Sequence, residues 1–182
     1  LDGGFAAWQA SFPGKIKAGA GPAPEAGTFT ASFQSTAYVS TGEVKQLISA
    51  NDGTLLLDGR PKEQFDGATK HPKAREAGHI PGALQLSQSN AYDTDTNRLK
   101  SSANLANIYG EVDAGQIVSY CNTGHWAATN WFVLSEVLGR ENVRLYDGSM
   151  VEWAADAANP LATNLTNLDR FKSFIGGLFK SS

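Results

Sequence analysis

The sequence predicts an α/β fold in which a central, mostly parallel sheet is covered by helices on both faces. Short apolar segments alternate along the chain with segments of helical spacing, as in right-handed β-α-β units. Residues 54–57 form an apolar run, which is typical of a strand buried on both faces of a parallel sheet. The 182 residues, 41% of them hydrophobic, suffice for one core of domain size and a fragment of a second.

Helix and strand signals follow one another from Ser40 onward. Ser40 and Glu43 form a capping box, in which the hydroxyl and the carboxylate accept hydrogen bonds from N–H groups at the start of a helix that runs to about Ala50. Gly139 ends the last long helix as a left-handed cap. In chain order we predict strands at 54–57, 83–86, 117–120 and 142–146, and further helices at 63–65, 101–109 and 126–138.

The first residues of the chain recur near its end. Leu1–Trp8 and Tyr146–Trp153 share an Asp-Gly pair and a tryptophan six residues after the aspartate. Internal repeats indicate duplicated units, although two Asp-Gly turns can also match by chance. We therefore predict four parts: the terminal corner of a preceding, related domain at 1–12, a linker rich in proline and glycine at 13–27, a catalytic domain at 28–160, and a partly helical extension at 161–182.

Composition argues against several classes of function. The net charge of −3 provides no basic surface for nucleic acid, and no apolar run approaches the ~18 residues that span a bilayer. One cysteine and three widely spaced histidines offer neither a disulfide nor zinc-ligand spacing, so we expect no metal and no other cofactor. The chain begins at Leu1 without a signal segment, and we interpret it as a processed product or a fragment. The sequence fits a soluble protein of the cytoplasm or the periplasm and does not indicate which.

The lone cysteine, Cys121, follows the apolar segment 117–120 and precedes a predicted helix. At such a turn, the N–H groups of the loop and the positive end of the helix dipole converge on one sulfur atom. They favour the thiolate form and can hold an anionic substrate in the same pocket. A free cysteine can also be a small core residue, but this position predicts a reactive thiol.

Four motifs, in order and spacing, resemble those of the rhodanese domain. The resemblance covers about 39–160 and is closest to the C-terminal catalytic domain of tandem thiosulfate or 3-mercaptopyruvate sulfurtransferases, whose first domain is usually inactive. The motifs are Asp58-Gly59-Arg60 followed by Phe65 and Gly67, then Gly78-His79-Ile80-Pro81-Gly82-Ala83, then Cys121 in a Cys-x-x-Gly loop, and finally Tyr146-Asp147-Gly148 with Trp153.

This resemblance implies a three-layer rhodanese-like domain that transfers sulfane sulfur through a persulfide on Cys121. The donor would be thiosulfate or a similar small anion, the acceptor cyanide or a thiol, and the missing N-terminal rhodanese-like domain a structural partner. Asp58 and Arg60 would support the active loop, Arg60 by ion pairing or by facing the anion. The N–H groups that would bind the substrate and the persulfide belong to Asn122, Thr123, Gly124, His125, Trp126 and Ala127.

The loop after the cysteine departs from both tandem families. Thiosulfate enzymes usually carry basic residues there and mercaptopyruvate enzymes a Gly-Ser-Gly-type loop, whereas this chain has Asn-Thr-Gly-His-Trp, so the donor is not identified. His125 is the only side chain in this segment that can carry positive charge, and it can contact a dianion or merely pack at the helix start. Trp126 is expected to form a pocket wall.

Two other functions share this scaffold. A persulfide carrier needs the same thiol and the same N–H groups, so the sequence does not separate it from an enzyme. A related phosphatase places a phosphate-binding arginine where this chain has Ala127, so the sequence argues against a phosphatase. Two further segments have structural interpretations. We expect Asp93–Asn97 to be an Asx-rich turn and not a calcium loop. We expect an apolar stripe at 171–179 to pack against the rest of the molecule, with binding to a membrane surface as the alternative.

Overall fold

The computed structural model describes residues 2–166. Its strands, in chain order, are β1 Leu55–Asp58, β2 Leu84–Gln85, β3 Ile117–Tyr120 and β4 Val143–Leu145. Its α-helices are α1 Gly4–Ser11, α2 Thr41–Ala50, α3 Lys62–Phe65, α4 Ser102–Ile108, α5 His125–Phe132 and α6 Ser149–Trp153. The predicted alternation of strands and helices is confirmed, with element ends displaced by one or two residues.

The four strands form one parallel sheet in the order β2-β1-β3-β4. The central pair, β1 and β3, aligns Leu57 with Ser119 and Asp58 with Tyr120. Both strands therefore end at the same edge of the sheet, and the residues that follow them lie side by side. The Gly59 N–H donates to the Tyr120 carbonyl at 2.8 Å, which extends this pairing to the residue before Cys121.

Two apolar layers pack on opposite faces of the sheet, because successive strand side chains point to opposite sides. On one face, Leu56 and Val118 pack with α2 and α6. On the other face, Leu57 and Ile117 pack with α4 and α5. The expected three-layer α/β architecture is therefore confirmed.

The helix ends follow the predicted local signals. The Ser40 Oγ accepts from the Glu43 N–H, and the Glu43 carboxylate accepts from the Ser40 N–H at 2.9 Å, so the capping box is confirmed. The predicted helix 126–138 is realised as α5 followed by a π-helical turn at Val133–Val137. Gly139 has a φ of 64°, the left-handed conformation expected of the cap.

The N-terminal segment begins with α1, and residues 12–34 contain neither helix nor strand and are exposed. On α1, Phe5 is 66% and Trp8 39% exposed. The Asp2 carboxylate accepts from the Leu99 N–H at 2.8 Å, so this segment also contacts the domain. The four-part division of the chain stays a prediction, and most of the predicted extension, with its apolar stripe, lies outside the described residues. Within 2–166 no helix has the length and apolarity needed to cross a membrane.

Candidate active site

The Cys121 thiol lies directly after β3, on the loop that leads into α5, and only 1% of the residue is exposed. The loop turns at Gly124, whose φ is +80°. A Cβ at Gly124 would also lie 2.9 Å from the Asp147 Cα, so both the backbone conformation and the close packing require glycine there. The glycine lets the loop close tightly around the sulfur.

Most backbone N–H groups around the thiol have no protein partner. The first N–H groups of a helix have no acceptor within the helix. In α5 these groups belong to His125 and the residues directly after it. Within residues 2–166, five N–H groups of segment 121–127 donate to no protein acceptor, namely those of Asn122, Thr123, His125, Trp126 and Ala127. Such a group of N–H donors at a helix N-terminus favours an anion.

The exception is Gly124, which was expected to contribute its N–H to the same group. This N–H donates instead to the Ser149 Oγ at 3.2 Å, and the Cys121 N–H donates to the same oxygen at 3.0 Å. The Gly124 N–H is therefore already paired within the protein, unlike the other five.

The start of α6 also binds the loop through backbone groups. The Met150 N–H donates to the Cys121 carbonyl at 3.1 Å, and the Val151 N–H donates to the Asn122 carbonyl at 3.0 Å. The repeated Asp-Gly corner pointed to this part of the chain, but sequence reasoning assigned it no function at the site. Its contacts with the loop span almost 30 positions, and no local signal predicts them.

Asp58 and Arg60 form a buried ion pair beside the thiol, with side chains that are 0% and 2% exposed. The Arg60 Nε donates to Oδ1 of Asp58 at 2.9 Å, and its Nη2 donates to Oδ2 at 2.7 Å. Burial opposes the charged guanidinium, but the hydrogen bonds and charge of Asp58 outweigh it and raise the pKa of Arg60. The pKa of the Tyr120 hydroxyl is also raised, first by burial and then by the Asp58 carboxylate.

This pair holds the end of β1 in place. The Arg60 Nη2 also donates to the Gly78 carbonyl at 2.8 Å, which ties β1 to the turn before β2. Within 2–166 no hydrogen bond of either side chain reaches the 121–127 segment. Arg60 therefore forms an ion pair, which is one of the two roles expected of it. The support of the loop that was expected of Asp58 stays a prediction.

Two polar side chains of the loop have different surroundings. Asn122 is 3% exposed; its Nδ2 donates to the Gln64 Oε1 at 2.8 Å, while its Oδ1 is buried without a partner. His125 is exposed, and its Nδ1 lies 3.1 Å from the Thr123 carbonyl and 3.3 Å from the Thr123 Oγ1. The imidazole thus folds back onto the loop at the open side of the site.

Trp126 lines a cavity of about 790 Å³ between α5 and the segment after β2. Phe132, on the same side of α5, lines it too, and the two residues are 43% (Phe132) and 38% (Trp126) exposed. Cys121 does not line this cavity, so the wall role expected of Trp126 at the thiol stays a prediction. Ala127 is fully buried, and its carbonyl accepts from the Ser119 Oγ at 2.9 Å.

The Asp93–Asn97 turn and His79 make local contacts outside the Cys121 loop. The Asp93 Oδ1 accepts from the N–H groups of Asp95 and Thr96, which confirms the Asx-rich turn. His79 stacks on Phe65 with ring centroids 3.8 Å apart, and its Nδ1 lies 2.7 Å from the Phe65 carbonyl. Among residues 2–166, no three His, Cys, Asp or Glu side chains lie close enough to share a metal ion.

Comparison with known proteins decides the family. A family model described as "Rhodanese-like domain" matches residues 40–156. The chain belongs to this family. Similar curated proteins include the thiosulfate sulfurtransferase of Corynebacterium glutamicum, 36% identical over 128 residues that are 66% of this chain and 42% of that protein. A putative thiosulfate sulfurtransferase of Mycolicibacterium smegmatis is 33% identical over 125 residues, 64% of this chain and 45% of that protein.

The rhodanese-like chain therefore spans less than half the length of these curated relatives. Among solved structures, the Tum1 protein of Saccharomyces cerevisiae has a TM-score of 0.63 and 26% identity, with coverage of 74% of this chain and 49% of that one. An EanB variant in a persulfide state with ergothioneine has a TM-score of 0.75 and 23% identity, covering 91% of this chain and 41% of that one. The second likeness shows the fold alone.

Proposed function

We propose that this rhodanese-like domain is a sulfurtransferase that moves sulfane sulfur from thiosulfate to a thiophilic acceptor through a persulfide on Cys121. The observation that carries this proposal is the thiol at the centre of a loop with five N–H groups that have no protein partner within 2–166. The names of the relatives support the same chemistry. A 3-mercaptopyruvate donor is the second possibility for the first step.

The reaction proceeds in two displacement steps. The Cys121 thiolate attacks the outer sulfur of thiosulfate, a new S–S bond forms, the old S–S bond breaks, and sulfite leaves with its electron pair. Cyanide then attacks the terminal sulfur of the persulfide, thiocyanate leaves, and the thiolate is regenerated. Covalent catalysis of this kind replaces one difficult step by two easier ones.

The loop N–H groups supply the electrostatic part of the mechanism. Segment 122–127 contains no lysine or arginine, so backbone dipoles and the N-terminus of α5 must stabilise the negative charge of the donor and of the persulfide. Because the thiol is buried, a donor with a narrow terminal sulfur atom reaches it more easily than a bulky one. Thiosulfate meets both requirements.

The proposal is tested by exposing the purified chain to thiosulfate and then to cyanide. Mass spectrometry should show a gain of one sulfur atom on Cys121, which cyanide removes as thiocyanate. Repeated turnover supports the enzyme, whereas a single stoichiometric transfer supports the alternative, a persulfide carrier. No gain of sulfur would contradict both. Cys121-dependent hydrolysis of an aryl phosphate would favour the phosphatase function, for which Ala127 provides no phosphate-binding arginine.

We expect His125→Ala to weaken the use of thiosulfate more than the use of an uncharged donor such as a dialkyl trisulfide. The exposed imidazole at the open side of the loop can add positive charge or a hydrogen bond for an entering dianion. As for other exposed charges, the loss in kcat/KM for thiosulfate should not exceed about fivefold.

The matched control for this prediction is His71→Ala, which removes a histidine outside the loop. Steady-state kinetics of all three proteins with both donors provide the comparison. Equal losses for the two donors in His125→Ala would mean that the imidazole only shapes the loop through its contacts with Thr123.

We also propose that residues 1–12 form the terminal corner of a preceding rhodanese-like domain. The repeat supports this, since α1 begins at Gly4 and α6 begins at the matching position, Ser149. The exposure of Phe5 and Trp8 supports it further, because exposed aromatic side chains on one helix mark an interaction surface.

A further inference from the structure

We infer that the Ser149 hydroxyl is a positioning group. By binding two N–H groups of the Cys121 loop, it fixes the loop so that the unpaired N–H groups are directed at the sulfur. Its consequence for sulfur transfer rests on the proposed function. The inference about loop geometry stands on hydrogen bonds of the folded protein alone. Ser149 lies outside the loop, at the first residue of α6, and its hydroxyl contacts the loop through backbone N–H groups.

The Ser149 Oγ uses its hydrogen-bonding capacity fully. It accepts from the Cys121 N–H at 3.0 Å and from the Gly124 N–H at 3.2 Å, and it donates to the Tyr146 carbonyl at 2.8 Å. Ser149 is 0% exposed, so bulk water does not compete for these hydrogen bonds. Without it, three buried polar groups of the site would lose their partner, and the loop would have to rearrange to satisfy them.

Ser149 binds the N–H groups at the first residue of the loop, Cys121, and at its turn, Gly124. Between them lie Asn122 and Thr123, and after them come the first residues of α5, all with unpaired N–H groups within the described chain. Fixing the N–H groups of Cys121 and Gly124 to one oxygen therefore determines which way the remaining ones can point. A single side chain thus controls the orientation of the proposed anion site.

The backbone at Ser149 adds independent support. Its φ is +51°, a left-handed conformation that is rare for residues other than glycine, asparagine and aspartate. Such strain persists where the surrounding structure requires it and is concentrated at functional sites. Glycine would adopt this conformation freely, so the presence of serine indicates that its hydroxyl is needed.

The N-terminal repeat provides an internal comparison. Gly4 occupies the position that matches Ser149, is likewise the first residue of its helix, and has a φ of +58°. The left-handed position is thus glycine in the N-terminal copy, which contacts no cysteine loop within the described residues. It is serine in the second copy, which contacts the Cys121 loop. At this position the second copy carries a hydroxymethyl side chain that the first copy lacks.

Two substitutions separate the hydroxyl from the backbone conformation. Ser149→Ala removes the hydroxyl and keeps a Cβ at positive φ, whereas Ser149→Gly removes the hydroxyl and relieves the strain. We expect both to lower kcat/KM for thiosulfate by roughly 10-fold to 100-fold, since small displacements of a positioned site have effects of this size. Thermal unfolding should show Ser149→Gly to be at least as stable as Ser149→Ala.

A second measurement does not depend on sulfur transfer. Iodoacetate is an anion and iodoacetamide is neutral, and both alkylate Cys121. We expect the ratio of the iodoacetate rate to the iodoacetamide rate to fall by about tenfold in both Ser149 variants, because the loop N–H groups no longer converge on the anion. If the wild-type chain accepts no sulfur from thiosulfate, the proposed function fails, and this ratio still tests the role of Ser149.

Two control variants complete the experiment. Asn51→Gly relieves a positive φ at the exposed end of α2, and Leu105→Ala destabilises the opposite core layer; neither should change the alkylation ratio. A wild-type ratio in Ser149→Gly, with unchanged kinetics, would overturn the inference, since only the backbone would then matter. If Ser149→Ala does not fold, Ser149→Gly decides alone, because glycine fits this conformation.

Discussion

Replacing Cys121 with serine is expected to lower the transfer of sulfur from thiosulfate to cyanide by at least about 10³-fold, the scale on which removal of a covalent nucleophile acts. Serine occupies nearly the same volume, and the position is buried, so the domain should retain its fold. A hydroxyl group forms no stable persulfide, and this chain contains no second cysteine to take its place. Thiocyanate formation measured at saturating thiosulfate checks the prediction.

Cys121→Ala is the matched control, because it lacks any nucleophile at this position. Both variants should show thermal unfolding close to that of the wild-type chain. Thiocyanate production in a folded serine variant at a rate near that of the wild type would mean that the sulfur does not pass through Cys121.

Replacing Arg60 with alanine is expected to lower the free energy of unfolding by about 3–5 kcal/mol, the usual cost of leaving one partner of a buried ion pair alone. The Asp58 carboxylate would remain at 0% exposure without the Nε and Nη2 donors of Arg60, and the Gly78 carbonyl would lose its bond from the same Nη2. Urea unfolding at neutral pH measures this change. Arg60→Lys should recover only part of it, because an ammonium group cannot form the paired contacts of a guanidinium.

The control for this prediction is Lys45→Ala, which breaks the exposed ion pair with Asp156. Exposed pairs contribute little to stability, so the change should be far smaller. If Arg60→Ala destabilises the chain no more than Lys45→Ala does, the buried pair does not hold the end of β1.

Much of the framework could be predicted because it depends on local chemistry. The apolar run at 54–57 indicated a buried parallel strand, and β1 lies in the middle of the sheet. The Ser40–Glu43 capping box needs only four adjacent residues, and it forms as expected. The position of Cys121 between a strand and a helix was likewise evident from the pattern on either side of it.

Predictions of single contacts were less complete. The N–H group of Gly124 was expected to face the anion, yet it donates to Ser149. Asp58 was expected to hold the loop, yet its carboxylate pairs with Arg60, which reaches the Gly78 turn. Ser149 belongs to a distant part of the chain. Arg60 is only two residues from Asp58, but its second contact is with the Gly78 turn, 18 residues beyond it.

The sequence by itself determined the parallel α/β fold and the place of Cys121 between a strand and a helix, because strand burial, helix caps and turn residues act over a few neighbouring positions. The order and spacing of four motifs indicated the family. Tertiary structure alone decided which N–H groups around the thiol stay unpaired. Ser149 lies 28 residues beyond Cys121 and meets it because β4 lies beside β3 and brings the start of α6 to the same edge of the sheet. Hydrogen bonds between such distant residues depend on packing geometry, which the pattern of residue types does not encode.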